Sequence, residues 1–108
     1  MKMLKNTKKE CVKSSVMYNV YTTNRYDKDF KRIVSNQKLI EEIETVITLL
    51  ATNDTPLPEK HKDHPLKGKY ATFRECHIRP DWLLVYKKTK KDLILLLVRT
   101  GSHSHVFN

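Results

Sequence analysis

The stretch YATFRECHIRPDWLLVYKKTKKDLILLLVR, residues 70–99, decides the fold of this chain. Apolar and polar residues alternate along much of it, and this period of two is typical of β-strands. Charged or proline-containing segments interrupt the alternation at two places and predict tight turns. The stretch therefore predicts three consecutive antiparallel strands. The predicted strands are residues 70–78, 82–86 and 92–99, with turns at 79–81 and 87–91.

Two apolar stripes at helical spacing precede these strands, at residues 26–34 and 39–50. The first stripe predicts a helix that Asn24 caps and that ends near Ser35. The second stripe has glutamates on its opposite side, which is typical of an amphipathic helix lying on a core. The short link between the two predicts an antiparallel helical hairpin. A short β-branched and aromatic segment, residues 17–22, predicts a strand before the hairpin.

The predicted order of elements is β-α-α-β-β-β, which favours an α+β fold with the helical hairpin packed on a small, mostly antiparallel, twisted sheet. A chain of 108 residues has room for a single core. We assign that domain to residues 17–108. Residues 1–16 are polar and lysine-rich and are predicted to form a basic, disordered arm. Residues 53–69 contain three prolines and predict a long loop, a feature that is usually functional in compact domains.

The charge of the chain is unevenly distributed. Lysine and arginine outnumber acidic residues 21 to 12, and residues 60–108 alone hold eleven basic and four acidic side chains. This excess predicts that the second half binds a polyanion, although a solvated basic face is an equal alternative. The longest apolar run, residues 93–98, is too short to span a bilayer. We therefore expect a cytoplasmic protein that does not bind membranes, in which Cys11 and Cys76 are free thiols.

The residues capable of acid–base chemistry fall outside the helical half. Imidazoles, carboxylates and a fixed cation at strand ends are what cleavage of a phosphodiester needs. Metal binding is the rival hypothesis, with a His-x-His pair in the tail as part of a zinc site. The spacing matches no common zinc motif, so we predict no metal and no cofactor. The five histidines are His61, His64, His77, His103 and His105.

Two long motifs resemble a known family. The segments KDHPLKGKYATFRECHIRPDWLLVYK, residues 62–87, and RTGSHSHVF, residues 99–107, resemble the YafQ-type toxins of the RelE/ParE superfamily. The resemblance covers residues 17–108 and implies a RelE-like fold. It also implies a type II toxin that cleaves mRNA in the ribosomal decoding site without a metal, inhibits translation, and is neutralised by a cognate antitoxin of the RelB/DinJ type.

The resemblance also implies the site residues. His64, His77, Asp81 and His103 match the acid–base positions of the family, and Arg99 matches its cation. Glu75 stands where an aspartate is common, so its role is less certain. We hypothesise that His103 protonates the leaving 5′-oxygen and that Asp81 or His77 takes the 2′-proton. His64 would help to position or protonate the phosphate, and Arg99 would stabilise its charge.

A second set of residues is predicted to contact RNA or the ribosome. Trp82 and Phe107 match aromatic residues near the family's site, but a core role is at least as good an interpretation of Trp82 and an equal one of Phe107. Loss of His61 or His105 is expected to have a mild effect. A ParE-like toxin that inhibits DNA gyrase is the alternative function. The predicted contact residues are Lys67, Lys69, Arg74, Trp82, Lys87, Lys88 and Phe107, with Lys90 and Lys91 as further basic candidates.

Overall fold

A six-stranded sheet with the strand order β1-β2-β6-β5-β4-β3 forms the frame of the molecule. All neighbouring strands are antiparallel except β2 and β6, which are parallel and are connected in the chain by two helices and three other strands. The mostly antiparallel α+β fold is therefore confirmed. The strands are β1 Lys2–Met3, β2 Asn19–Thr22, β3 His64–Pro65, β4 Arg74–Arg79, β5 Trp82–Thr89 and β6 Ile94–Gly101.

The computed structural model describes residues 2–3 and 17–107. Strand β1 pairs antiparallel with β2, Lys2 opposite Thr22 and Met3 opposite Tyr21. The remainder of the predicted N-terminal arm, and with it Cys11, lies outside the described residues. No helix in the described part of the chain is long and apolar enough to cross a membrane.

Two helices follow β2, α1 at Asn24–Lys31 and α2 at Gln37–Thr52. The predicted N-cap is wrong by one residue, because the Thr23 side chain accepts the Tyr26 amide and holds the extended backbone that a cap requires. The first helix also ends earlier than predicted, and residues 32–35 form a turn. Asn36 then caps α2 by accepting the Leu39 amide.

The core lies between these helices and one face of the sheet, which we call the helix face. Buried side chains from both helices, including Tyr26 and Ile43, pack there against alternate strand residues such as Cys76 and Leu84. Burial raises the pKa of the Cys76 thiol well above its usual range, so the free thiol stays protonated. The opposite face of the sheet, which we call the site face, carries Glu75, His77, Leu83, Val85 and Lys87 by the alternation of strands β4 and β5.

Several predicted boundaries differ from the structure, and the strand predicted from residue 70 begins at Arg74. The long loop contains strand β3 and two single-turn helices, at Glu59–His61 and Gly68–Tyr70. Strand β5 continues through Thr89, so the basic segment 87–91 is only partly a turn. After Gly101, where the sequence predicts no regular element, residues His103–Phe107 form a short helix, α3. Short helices and two-residue strands depend on tertiary contacts, which the local pattern does not show.

Candidate active site

The register of the sheet places the predicted site residues in two rows across the site face. His64 on β3 is opposite Glu75 on β4, Glu75 is opposite Val85 on β5, and Val85 is opposite Arg99 on β6. The next row runs from His77 through Leu83 to Gly101, two residues before His103. Directly opposed residues point to the same face. Residues that are far apart in sequence therefore lie side by side.

A β-bulge in β6 determines which residue completes the first row. Val85 pairs with Arg99, but the next residue, Tyr86, pairs with Leu97, so Val98 is the extra residue. Without this bulge Val85 would face Val98, and Arg99 would fall on the helix face. The bulge therefore brings the predicted cation into the row.

Glu75 joins two histidines into one cluster, which we call the open cluster: His64, Glu75 and His77. The Glu75 Oε2 atom lies 3.2 Å from His64 Nε2 and 3.6 Å from His77 Nε2. The carboxylate side chain is only 8% exposed, whereas the His64 and His77 side chains are 48% and 23% exposed. A buried acid thus connects two imidazoles that solvent, and therefore a substrate, can reach.

The second nitrogen of each imidazole in the open cluster is fixed by a backbone carbonyl. His64 Nδ1 lies 3.1 Å from Pro65 O, and His77 Nδ1 lies 3.1 Å from Pro80 O. A carbonyl only accepts, so each Nδ1 carries the hydrogen and each Nε2 faces Glu75. Nε2 is then the nitrogen that can take up a proton, and it can donate to the shared carboxylate only once it carries one.

Arg99 belongs to a second group, which we call the closed cluster: Asp29, Arg99 and His105. Arg99 Nε donates to Asp29 Oδ2 at 2.9 Å, and Nη2 donates to Oδ1 at 3.0 Å. This is the two-pronged arginine–carboxylate pairing that fixes the plane of the guanidinium. Asp29 lies on α1 and is 4% exposed. The first helix therefore orients the predicted cation, leaving the third guanidinium nitrogen, Nη1, outside these contacts.

Asp29 also completes the hydrogen bonding of β6 where β2 stops. Strand β2 pairs with β6 only as far as Leu97, and beyond that point Asp29 Oδ2 accepts the Thr100 amide at 3.1 Å. Burial by itself would raise the pKa of Asp29. The hydrogen bonds from Arg99, Thr100 and His105 outweigh that effect and hold the pKa of Asp29 below its usual value. The carboxylate is therefore kept charged.

His105 closes this cluster from α3. Its Nε2 lies 3.0 Å from Asp29 Oδ1 and 3.2 Å from Arg99 Nη2, so it either donates to the acid or accepts from the guanidinium. Gly101 makes room for the ring, because a Cβ there would lie 2.8 Å from His105 Cδ2. His61 also has a defined contact, since it is buried and its Nδ1 donates to the His77 carbonyl at 2.7 Å. Neither contact is evident from the sequence.

The other predicted acid–base residues stand apart from both clusters. His103 begins α3, and its ring centroid lies 5.2 Å from that of Phe107. His77 and Gly101, two residues before His103, are two strands apart, about 10 Å, and His103 has no hydrogen bond or ion pair with the residues of the open cluster. Asp81 is exposed in the β4–β5 turn and has no hydrogen bond or ion pair to the residues that the structure describes.

Three of the predicted RNA-contacting residues lie on the helix face. Arg74 is opposite Tyr86 and donates to Asp63 at 3.2 Å. Trp82 packs on the core and donates its indole N–H to Thr100 at 2.9 Å, in line with the core alternative. Lys88 donates to Asn53 O at 2.9 Å and lies over the Tyr18 ring. These side chains hold the fold together, away from the open cluster.

The remaining basic candidates are accessible. Lys87 shares the site face with Val85 by strand alternation, and Lys67 and Lys69 are exposed in the loop before β4. Lys90 and Lys91 are exposed at the far β5–β6 turn, where Lys90 lies 3.6 Å from Asp54. The polyanion contact predicted from charge therefore has a smaller set of candidates on the site face: Lys67, Lys69 and Lys87.

The open cluster has the composition and spacing of a metal site. One ligand atom from each of its three residues lies within 4.8 Å of the others, the only such group in the part of the chain that the structure describes. Tetrahedral zinc with ligands at about 2.1 Å separates those ligands by about 3.4 Å, close to the 3.2 and 3.6 Å observed. The metal hypothesis from the sequence combined His103 and His105 with His61, His64 or His77. The structure places His103 and His105 in contacts outside the open cluster.

Comparison with known proteins agrees with this architecture. A family described as "Bacterial toxin of type II toxin-antitoxin system, YafQ" matches residues 18–108. A relative from Escherichia coli K12, the mRNA interferase toxin YafQ, is 40% identical over 85 residues, which are 79% of this chain and 90% of the relative.

Solved structures show the same fold. The toxin in the E. coli DinJ-YafQ toxin–antitoxin complex matches with a TM-score of 0.75 and 36% identity, over 86% of this chain and 100% of that one. A metal-bound toxin from Helicobacter pylori matches with a TM-score of 0.65 and 44% identity, over 82% of this chain and 97% of that one. The predicted resemblance is confirmed. The chain belongs to the YafQ family, the toxins of bacterial type II toxin–antitoxin systems.

Proposed function

We propose that this toxin is a ribosome-dependent, metal-independent endoribonuclease that cleaves mRNA in the decoding site and so inhibits translation. The observation that carries the proposal is the register of the site face, which assembles two imidazoles, a carboxylate and a guanidinium in adjacent rows. Cleavage of mRNA is also the activity named for the E. coli relative. A toxin that only binds its target has no need of these ionisable groups.

The reaction supported by this arrangement is attack of the 2′-oxygen on the neighbouring phosphorus. His77 Nε2 or the Asp81 carboxylate takes the 2′-proton, and the P–O5′ bond breaks as His103 gives a proton to the leaving 5′-oxygen. The products are a 2′,3′-cyclic phosphate, which can open to a 3′-phosphate, and a 5′-hydroxyl. Glu75 Oε2, close to the Nε2 atoms of both imidazoles, stabilises the positive charge of a ring that has taken up the proton, and Arg99 Nη1 stabilises the charge that develops on phosphate.

The spread of these groups over an open surface supports dependence on the ribosome. The first row spans four strands, about 14 Å from His64 to Arg99, and does not enclose a substrate. In-line attack needs the 2′-oxygen, phosphorus and 5′-oxygen to be aligned, and alignment supplied by a second macromolecule can account for several orders of magnitude in rate. An mRNA held by the ribosome meets that requirement, and Lys67, Lys69 and Lys87 would contact its phosphates.

We assign a cognate antitoxin of the DinJ/RelB type as the protein partner. The E. coli relative has been solved in complex with DinJ, and its fold matches this chain over its full length. Co-expression of a candidate antitoxin of this type should restore growth, and the candidate should co-purify with the toxin. A candidate that does not restore growth would be excluded as the antitoxin.

Mapping of mRNA 5′ ends after brief induction tests the nuclease proposal. We expect new ends inside codons with the parent chain and at least about 100-fold fewer with His103→Ala. Ser104→Ala, next to it on α3 and exposed, is the matched control and should cut like the parent. Cleavage by His103→Ala at the parental rate would remove that residue from the mechanism. Growth arrest with intact mRNA would instead favour a target such as DNA gyrase.

A further inference from the structure

A cavity of about 430 Å³ lies on the site face beside Arg99, and no predicted catalytic step uses it. Its floor is formed by Val85 and Val98 of the sheet, and α3 closes one side with Val106 and Phe107. The volume falls in the range of small-molecule sites. The remaining wall comes from the loop before β4, a segment to which the sequence assigned no aromatic function: Tyr70 and Phe73.

Two aromatic rings form the mouth of this cavity. The Tyr70 and Phe107 centroids are 5.8 Å apart with an interplanar angle of 72°. The two rings are therefore packed edge to face, and they present differently oriented surfaces to a bound molecule. Tyr70 is 37% exposed, one of four large hydrophobic side chains in the described residues that remain exposed. Phe107 in turn contacts the ring of His103, the predicted general acid. A planar group in the cavity would therefore lie next to the reacting groups.

Cations surround the same mouth. Arg25 of α1, Lys69 and Arg99 all line the cavity. Lys69 Nζ lies 5.4 Å from the Tyr70 ring centroid, and the Arg25 side chain has no hydrogen bond or ion pair with the residues that the structure describes. Exposed aromatic rings together with unpaired cations are the combination that binds single-stranded nucleic acid, with bases on the rings and phosphates on the cations.

We propose that this cavity is a nucleotide subsite, in which Tyr70 and Phe107 hold the unpaired base next to the cleaved bond and Arg25 and Lys69 contact its phosphate. The inference rests on the proposed nuclease function and adds the residue that positions the substrate. Arg99 links the two sites, because it lines the cavity and also completes the row of His64 and Glu75. Tyr70 is a binding residue, and base stacking on it brings the adjacent phosphate to Arg99.

Single-turnover cleavage of ribosome-bound mRNA tests the subsite. We expect Tyr70→Leu to lower the cleavage efficiency by roughly 10-fold or more and Tyr70→Phe, which keeps the ring, to lose far less. Leu93→Ala, an exposed apolar residue in the far β5–β6 turn, should keep the parental value. An mRNA lacking the base beside the cleaved bond should lower the parental efficiency by a similar factor. It should have no further effect on Tyr70→Leu, because the contact is already lost. A purely structural role would make the two losses multiply, and that result would overturn the proposal.

A binding measurement separates this inference from the nuclease proposal. A 2′-O-methyl tetranucleotide, which cannot be cleaved, should shift the Tyr70 and Phe107 ring resonances of the parent chain, and its abasic counterpart should not. Ring shifts without any mRNA cleavage would support the subsite and remove the nuclease. Cleavage that Tyr70→Leu leaves unchanged, with no ring shifts, would remove the subsite alone.

Discussion

The open cluster and the closed cluster use the same kinds of residue in opposite ways. Each contains a buried carboxylate that faces at least one imidazole, Glu75 in the first and Asp29 in the second. Asp29 accepts hydrogen bonds from the Arg99 guanidinium and from the Thr100 backbone amide, and its remaining contact is His105. Glu75 has only His64 and His77 as its side-chain partners among the described residues.

This difference separates a site for chemistry from a site that holds geometry. In the closed cluster a permanent cation balances the acid, so there is no reason for a proton to move. In the open cluster the only side-chain partners of the acid among the described residues are imidazoles, which can take up and give up a proton at Nε2. Similar side chains therefore predict proton transfer in one place and positioning in the other, and the permanent charge of the arginine makes the difference.

The largest effect is expected from His77→Gln, which removes the proton-carrying nitrogen of the open cluster and keeps a polar group of similar size. Cleavage should fall by at least about 100-fold, while the free energy of unfolding changes by less than about 1 kcal/mol. Single-turnover cleavage and urea denaturation measure the two quantities. Asp81→Asn in parallel identifies the base, since the larger loss marks the residue that takes the 2′-proton. A large loss in the free energy of unfolding with His77→Gln would show that His77 has a structural role.

Asp29→Asn should act mainly on stability. Breaking a buried, hydrogen-bonded ion pair costs about 3 kcal/mol, and urea denaturation at pH 7 should show it, with exposed Asp92→Asn as a neutral control. The folded-state pKa of Asp29 is lowered, so its contribution is complete above the unfolded value of about 4 and declines as the pH falls below that. The difference between parent and variant should therefore shrink in acid. A pH-independent difference would show that the charge of Asp29 is not the cause.

Zinc or copper should bind the open cluster but not the closed cluster, and should inhibit cleavage reversibly and by a smaller factor than His77→Gln. Three ligand atoms at suitable distances leave the open cluster able to bind a divalent ion, and binding would occupy the Nε2 atoms that carry protons. We expect micromolar Zn²⁺ to slow cleavage by at least about 10-fold. A zinc-selective chelator that leaves the Mg²⁺ of the ribosome in place should restore it, and that chelator alone should have no effect. Calorimetry should show weaker zinc binding by Glu75→Gln and unchanged binding by Asp29→Asn. Loss of activity in the zinc-selective chelator alone would contradict a mechanism without a toxin-bound transition metal.

The sequence predicts the strands, both main helices and the family because each depends on local periodicity or on long ordered motifs. The open cluster also follows from it in part, since His64, Glu75 and His77 all lie in matched motifs. Asp29 was missed because it looks like any charged residue of an amphipathic helix, and its partner is 70 residues away in the chain. A partly buried cation such as Arg99 needs an acidic partner, but a single sequence does not show which of the acidic residues that partner is.

The alternation of side chains along a strand could have shown which of the basic residues share a face of the sheet. The sequence grouped Arg74, Lys87 and Lys88 by charge alone, although residues 87 and 88 on one strand must face opposite ways. The early end assigned to β5 hid this, because a residue in a turn has no fixed face. Tyr70 was likewise assigned to a strand and so treated as framework, whereas it ends a single helical turn at the cavity mouth.

The smallest effect is expected from the neighbouring pair Lys87 and Lys88, which have the same charge and opposite faces. Lys87→Ala should weaken binding to ribosome-bound mRNA about two- to threefold and reduce the salt dependence of binding by about one phosphate contact. Lys88→Ala should leave both unchanged and lower the urea midpoint, since its ammonium holds the Asn53 carbonyl and covers the Tyr18 ring. Equal effects of the two substitutions on salt dependence would mean that overall charge, rather than the site face, attracts the RNA. The pair thus tests whether RNA binds to the site face, where Lys87 lies, and not to the helix face, where Lys88 lies.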